Sequence, residues 1–140
     1  MARSLFRTIS KNKIEDLKDI LHSFFAGISY EFYRKNELDK YEGYYASIVY
    51  ALFNGAGLDV SSQVTSNKGR VDLTVKYKDR VYLIEFEVVD KDSEGKALEQ
   101  IKDKKYYEQF IGKFKEIYLI GIEFSKLERN IVGFELKKVH

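Results

Sequence analysis

Three acidic side chains set in two short apolar runs could do chemistry together: Asp72 in RVDLTVKY (residues 70–77), and Glu85 and Glu87 in RVYLIEFEVV (residues 80–89). Alternation along an extended strand sends Glu85 and Glu87 to one face and Ile84, Phe86 and Val88 to the other. Lys78-Asp79 has the length of a two-residue hairpin loop. Such a loop pairs Tyr77 with Arg80 and, continued down the ladder, sets Asp72 opposite Glu85 and Arg70 opposite Glu87. Directly opposed residues share a face with Cβ atoms about 4.5 to 5.5 Å apart, so the three carboxylates are expected to converge. Like charges placed this way call for a compensating cation or raised pKa values. Oxygen ligands at this spacing suit Mg²⁺ or Mn²⁺, which bind through one or two carboxylates, water and phosphate. A structural arrangement competes with the metal site: Arg70 pairs with Glu87 while Glu85 sits at a wet end of the sheet. Spacing alone leaves both open.

The elements that must position these acids follow from periodicity. Residues 12–26 carry Ile14, Leu17, Ile20, Leu21, Phe24 and Phe25 at the spacing of an amphipathic helix. A second helix is announced by Asp39-Lys40-Tyr41-Glu42, an acid cap with Glu three residues on, and Tyr41, Tyr45, Ile48 and Leu52 form its stripe. Asn54-Gly55-Ala56-Gly57 stops it. From Leu58 the period changes to two, giving strands over 58–65, 70–77 and 80–89. Residues 96–111 return to helical spacing, 116–124 form an apolar strand, and 130–138 alternate like an edge strand. The expected order is α-α-β-β-β-α-β-β in one domain, with residues 1–37 as an N-terminal helical extension and 38–140 as the core.

Bulk composition narrows the classes. With 140 residues, 44% hydrophobic and 15% aromatic, the chain can bury a real core. A net charge of +2 gives no generic polybasic nucleic-acid binder, so any basic patch must come from clustering. The absence of Cys excludes disulfides and thiolate metal sites. No apolar run reaches the length of a membrane span and residues 1–6 lack the core of a signal peptide, so the expected location is cytoplasmic. No G-x-x-x-x-G-K-[ST] occurs. His22 and His140 are far apart and are read as surface residues.

Gly69-Arg70-Val71-Asp72, Ile84-Glu85-Phe86-Glu87 and Ala97-Leu98-Glu99-Gln100-Ile101-Lys102, in a helix, three strands, helix, strand order, resemble the PD-(D/E)XK nuclease superfamily. More narrowly they resemble the nuclease-like module at the C-terminus of bacterial AAA-ATPase-like proteins. The resemblance implies a restriction-endonuclease-like α/β fold with a mixed central sheet flanked by helices, and Mg²⁺-dependent (or Mn²⁺-dependent) hydrolysis of phosphodiesters. It implies Asp72 and Glu85 as metal ligands, with the Phe86 carbonyl as a third. The position of the family's strand Lys holds Glu87, a departure that some restriction endonucleases of the superfamily share. Members that lose the strand Lys recruit one from the following helix, which makes Lys104 or Lys102 the substitute. The alternative is that these lysines belong to a solvated face. Gln100 is an expected active-site neighbour, and Arg70 and Lys102 are candidate phosphate contacts. Glu42 either approaches the metal, as a helical Glu does in related nucleases, or closes the capping box with Asp39; the box is the preferred reading. Nucleic acid, DNA first, is the implied partner. An AAA-ATPase-like module on the same or another chain and a second copy of the chain are further candidates. The rival function is a domain that keeps the fold, no longer cuts, and serves as a nucleic-acid or protein interaction module.

Overall fold

A computed structural model of the protein describes residues 1–28, 42–66 and 69–140, without the side chains of residues 42, 63–66, 69 and 70. Its elements are α1 (Ala2–Ser10), α2 (Glu15–Ala26), α3 (Glu42–Gly55), β1 (Asp59–Ser66), β2 (Gly69–Tyr77), β3 (Arg80–Val89), α4 (Lys96–Lys104), a 3₁₀ turn (Tyr106–Phe110), β4 (Glu116–Ser125) and β5 (Asn130–Lys138). The strands form one sheet in the order β1-β2-β3-β4-β5. Only β3 and β4 run parallel, joined by the α4 crossover; the other pairs are antiparallel.

The mixed sheet flanked by helices is the fold class expected, and among the described residues the α-α-β-β-β-α-β-β order recurs with one helix added before it. That helix, α1, buries only Leu5, Thr8 and Ile9, too few apolar positions to register as a period. Arg80 donates from Nη2 to the Ile9 and Ser10 carbonyls at 2.7 and 2.9 Å, placing a cation at the C-terminal end of α1. The predicted helix over 96–111 divides instead. Lys105 takes a left-handed φ of 52°, and the chain continues as the 3₁₀ turn that buries Tyr106 and Phe110. The Asp39–Glu42 capping box lies outside the described residues and side chains.

The hairpin has the expected register, with Tyr77 beside Arg80 and Lys78 at φ 50° in the turn. Its ladder runs to Leu73 beside Ile84. At the end of α3, Leu58 N–H donates to Phe53 O at 3.1 Å while Gly57 sits at φ 86°, a six-to-one closure that needs the glycine.

The two faces of β3 meet different helices. Tyr82, Ile84 and Phe86 enter the main core with residues of α1, α2 and α3. Val81 and Leu83 enter a smaller cluster with Ile101 of α4 and with Tyr106 and Phe110. Alternation therefore carries Glu85 and Glu87 onto the α4 side. Among the described residues, no helix is long and apolar enough to cross a membrane.

Candidate active site

Beyond Leu73 and Ile84 the β2–β3 ladder ends, and the Phe86 N–H is taken by a side chain instead: it donates to Asp72 Oδ2 at 2.9 Å. Asp72 thus stands beside the Glu85 stretch through a bond made by its own carboxylate. Glu85 is only 4% exposed. Lys104, half-buried at the end of α4, donates from Nζ to Glu85 Oε1 at 3.4 Å. The lysine also lies 5.4 Å from the Tyr106 ring centroid.

Burial dominates the Glu85 titration, and the charge of Asp72 adds to it; attraction to Lys104 opposes both. The result is a carboxyl pushed up from 4.5 to about 7. Burial is the largest single influence on Lys104 and disfavours its cation, but Glu85 and Tyr106 together outweigh it and the lysine pKa is raised. Glu85 Oε2 is buried without a hydrogen-bond partner among the described residues. An unsatisfied, desolvated carboxylate oxygen beside a second carboxylate is a hard-oxygen donor set, and it fits Mg²⁺ or Mn²⁺.

Glu87 goes elsewhere. Gln100, with its amide nitrogen toward Glu87 and its oxygen toward Lys104, donates to Glu87 Oε2 and accepts from Lys104 Nζ at 3.1 Å each. Gln100 and Lys104 are four residues apart on α4, the spacing that puts them on one side of a helix. The expected convergence of three carboxylates is therefore corrected: among the described residues no group of three or more acids or histidines could hold an ion. Asp72 and Glu85 lie together, while Gln100 engages Glu87 because α4 brings an amide between that carboxylate and the lysine. The Phe86 ring is fully buried in the main core, on the other face of β3. Lys102 is exposed on α4, and Lys104 is the helix lysine that reaches Glu85. The Arg70 side chain, expected opposite Glu87, lies outside the described ones.

Two residues that hold α4 in place were not singled out in the sequence. Glu123 of β4 is 1% exposed, and its carboxylate accepts from Ser93 Oγ at 2.6 Å and from the N–H groups of Glu94, Gly95 and Lys96 at 3.1, 2.9 and 3.3 Å. This is an anion at a helix N-terminus. Burial works against the Glu123 charge, but these donors outweigh it and hold its pKa below the usual carboxylate range. Gly121 lets α4 approach the sheet: a Cβ there would lie 2.7 Å from Leu98 Cα and closer still to Leu98 N. An acid and a glycine inside the apolar run EIYLIGIEF were the only signal available.

A five-stranded mixed sheet flanked by helices, with an acid on β2, an acid on β3 and a lysine from the next helix at one sheet end, defines a restriction-endonuclease-like α/β fold. The sequence profile of the PD-(D/E)XK nuclease superfamily matches residues 40–134, and the chain belongs to that superfamily. It is 39% identical over 135 residues to a protein of Azotobacter chroococcum mcd 1 named "Uncharacterized protein in vnfD 5'region". That match covers 96% of this chain and 26% of the other protein, so the chain spans about a quarter of the length of this curated relative. No solved structure matches the chain.

Proposed function

We propose that the domain hydrolyses phosphodiesters of nucleic acid, DNA first, with a divalent cation and a lysine drawn from α4. The observation that carries this reading is Lys104 Nζ lying 3.4 Å from a buried Glu85 whose other oxygen has no described partner, with Asp72 beside it. Asp72 and Glu85, with the Phe86 carbonyl, would hold Mg²⁺ or Mn²⁺, which supplies charge for the scissile phosphate and acidifies a bound water. Lys104 takes over the cationic role that the family gives to the strand position occupied here by Glu87. Its ammonium favours a phosphate oxygen at the site, and Gln100 orients it. Glu87, tethered by Gln100, is the base for the attacking water. Lys102 on the exposed side of α4 and Arg70 on β2 contact flanking phosphates. An AAA-ATPase-like module on the same or another chain, and a second copy of the chain, belong to the same proposal as partners.

The second reading, a nuclease-fold module that binds without cutting, is favoured by Glu87 itself, which adds negative charge where the family has a cation. Cleavage of single- and double-stranded DNA with Mg²⁺ and with Mn²⁺ separates the two. The nuclease reading expects wild-type cleavage that falls by about 10²-fold or more in Lys104→Ala and disappears in Asp72→Ala. Wild type inactive with both ions supports the binding module, and activity that survives Asp72→Ala rejects this site altogether.

A further inference from the structure

On the other side of Asp72 the fold leaves space. A cavity of about 230 Å³ opens between α3 and the β1–β2 edge, lined by Gly43, Ala46, Ser47 and Tyr50 of α3 and by Ser62 and Asp72 of the strands. The volume falls below the roughly 300 to 1,000 Å³ of sites for larger small molecules. It suits one flat ring system and its sugar.

Among the described residues, Tyr50 is the only aromatic one on this wall. It is half-buried, packing against the main core while it borders the cavity. Ser47, exposed on the same wall, donates its hydroxyl back along α3 to Tyr44 O at 2.8 Å. Gly43 is part of α3, and glycine is among the poorest helix formers. A Cβ at Gly43 would meet none of the described residues within 4 Å, so their packing does not require the glycine, and its missing side chain leaves this part of the cavity wall open. Asp72 is shared: the residue that lines the cavity also belongs to the candidate metal site.

We propose that this cleft is a nucleoside subsite, holding the nucleotide next to the scissile phosphate with its base against Tyr50. The substrate class rests on the phosphodiesterase reading above. A base can enter only when it has left its stack, so the subsite selects single strands, frayed ends or extruded nucleotides over intact duplex. Stacking on an aromatic ring tolerates any base, so the selection is for unstacked strands and not for sequence.

The test measures binding and needs no turnover. Fluorescence anisotropy of an oligothymidylate of about eight nucleotides, a length within single-strand site sizes, is recorded with Ca²⁺ and with chelator, beside the same oligonucleotide carrying abasic positions. Wild type is expected to prefer the intact strand. Tyr50→Ala should weaken intact-strand binding about 5- to 150-fold, the range of one base–aromatic stack, and leave the abasic strand unaffected. Tyr50→Phe should bind as wild type, and Gly43→Leu, which fills the cleft and favours the helix, should reproduce the Tyr50→Ala loss. Equal wild-type binding of intact and abasic strands, no binding at all, or indifference to both Tyr50→Ala and Gly43→Leu overturns the subsite. Cleavage that persists alongside any of these results leaves the phosphodiesterase standing without it. Base-dependent binding in a wild type that cleaves nothing leaves the subsite standing without the phosphodiesterase.

Discussion

Replacing Glu85 with Gln should stabilise the metal-free protein at neutral and alkaline pH, because the native fold holds this carboxyl against its own ionisation. Its pKa stands at about 7 against an ordinary 4.5, chiefly through burial and then through the charge of Asp72. A carboxyl raised in the folded state binds more protons there than in the unfolded chain, so stability falls as pH rises from about 4.5 through about 7 and then levels. A shift of this size corresponds to about 3 kcal/mol once Glu85 is fully ionised. Attraction to Lys104 is already contained in that net value. Urea unfolding of wild type and Glu85→Gln between pH 4 and pH 9, with chelator present, reads the difference directly. The variant's advantage should be small at the acid end and grow across the window to somewhere between about 1 and 3 kcal/mol. Mg²⁺ or Mn²⁺ should then stabilise wild type and not the variant. Were Glu85→Gln less stable than wild type by more than about 1 kcal/mol at pH 8, Glu85 and Lys104 would be a structural ion pair and the metal-site reasoning would fail.

Gly121→Ala should lower stability by about 1 to 3 kcal/mol by driving a methyl into the Leu98 backbone, and should weaken any metal-dependent cleavage more than Leu98→Ala does; thermal melts and a cleavage assay check both. Glu123→Gln should cost about 1 to 3 kcal/mol at pH 7. Because the Glu123 pKa is lowered in the fold, that cost should vanish as pH falls through its depressed value, which paired urea titrations at neutral and acid pH would reveal. For an active nuclease, Glu87→Ala should abolish cleavage and Glu87→Lys should retain some. For a degenerate one, wild type is inert and Glu87→Lys alone gains weak activity, measured against an Asp72→Ala background.

Local chemistry explains what could be read from the sequence. Lys78-Asp79 between two alternating runs fixed a register, and the register put Asp72 near Glu85 because a two-residue loop allows no slip. The apolar strands of the sheet interior were legible for the same reason, as was the α3 stop, where Gly57 supplies the left-handed turn. The position of α4 was not legible. Its depth depends on Gly121 and its N-terminal anchor on Glu123, both about two dozen residues downstream and reached only through the parallel β3–β4 pairing. Helical spacing over 96–111 also hid the break at Lys105, which lets Tyr106 and Phe110 enter the cluster beneath β2, β3 and β4. The Glu85–Lys104 contact therefore followed from resemblance to a family in which the lysine migrates, and periodicity supplied only the candidate.

The consequence is a different answer to how two strand acids coexist. Glu85 and Glu87 project to the same face of β3, and each is met by a different side chain of α4, Lys104 and Gln100, which are themselves in contact at 3.1 Å. A strand lysine at position 87 would be held by the sheet alone. A helix lysine is held only as firmly as its helix, and α4 is seated by the burial of Ala97 and Ile101, by the close approach at Gly121 and by one buried carboxylate on β4. The charge balance at Glu85 thus depends in part on Gly121 and Glu123, residues that carry no chemistry of their own. Moving α4 by the width of a methyl group would separate Lys104 from Glu85, leaving a buried carboxylate without its described cation and driving it further toward the protonated form, which binds metal poorly.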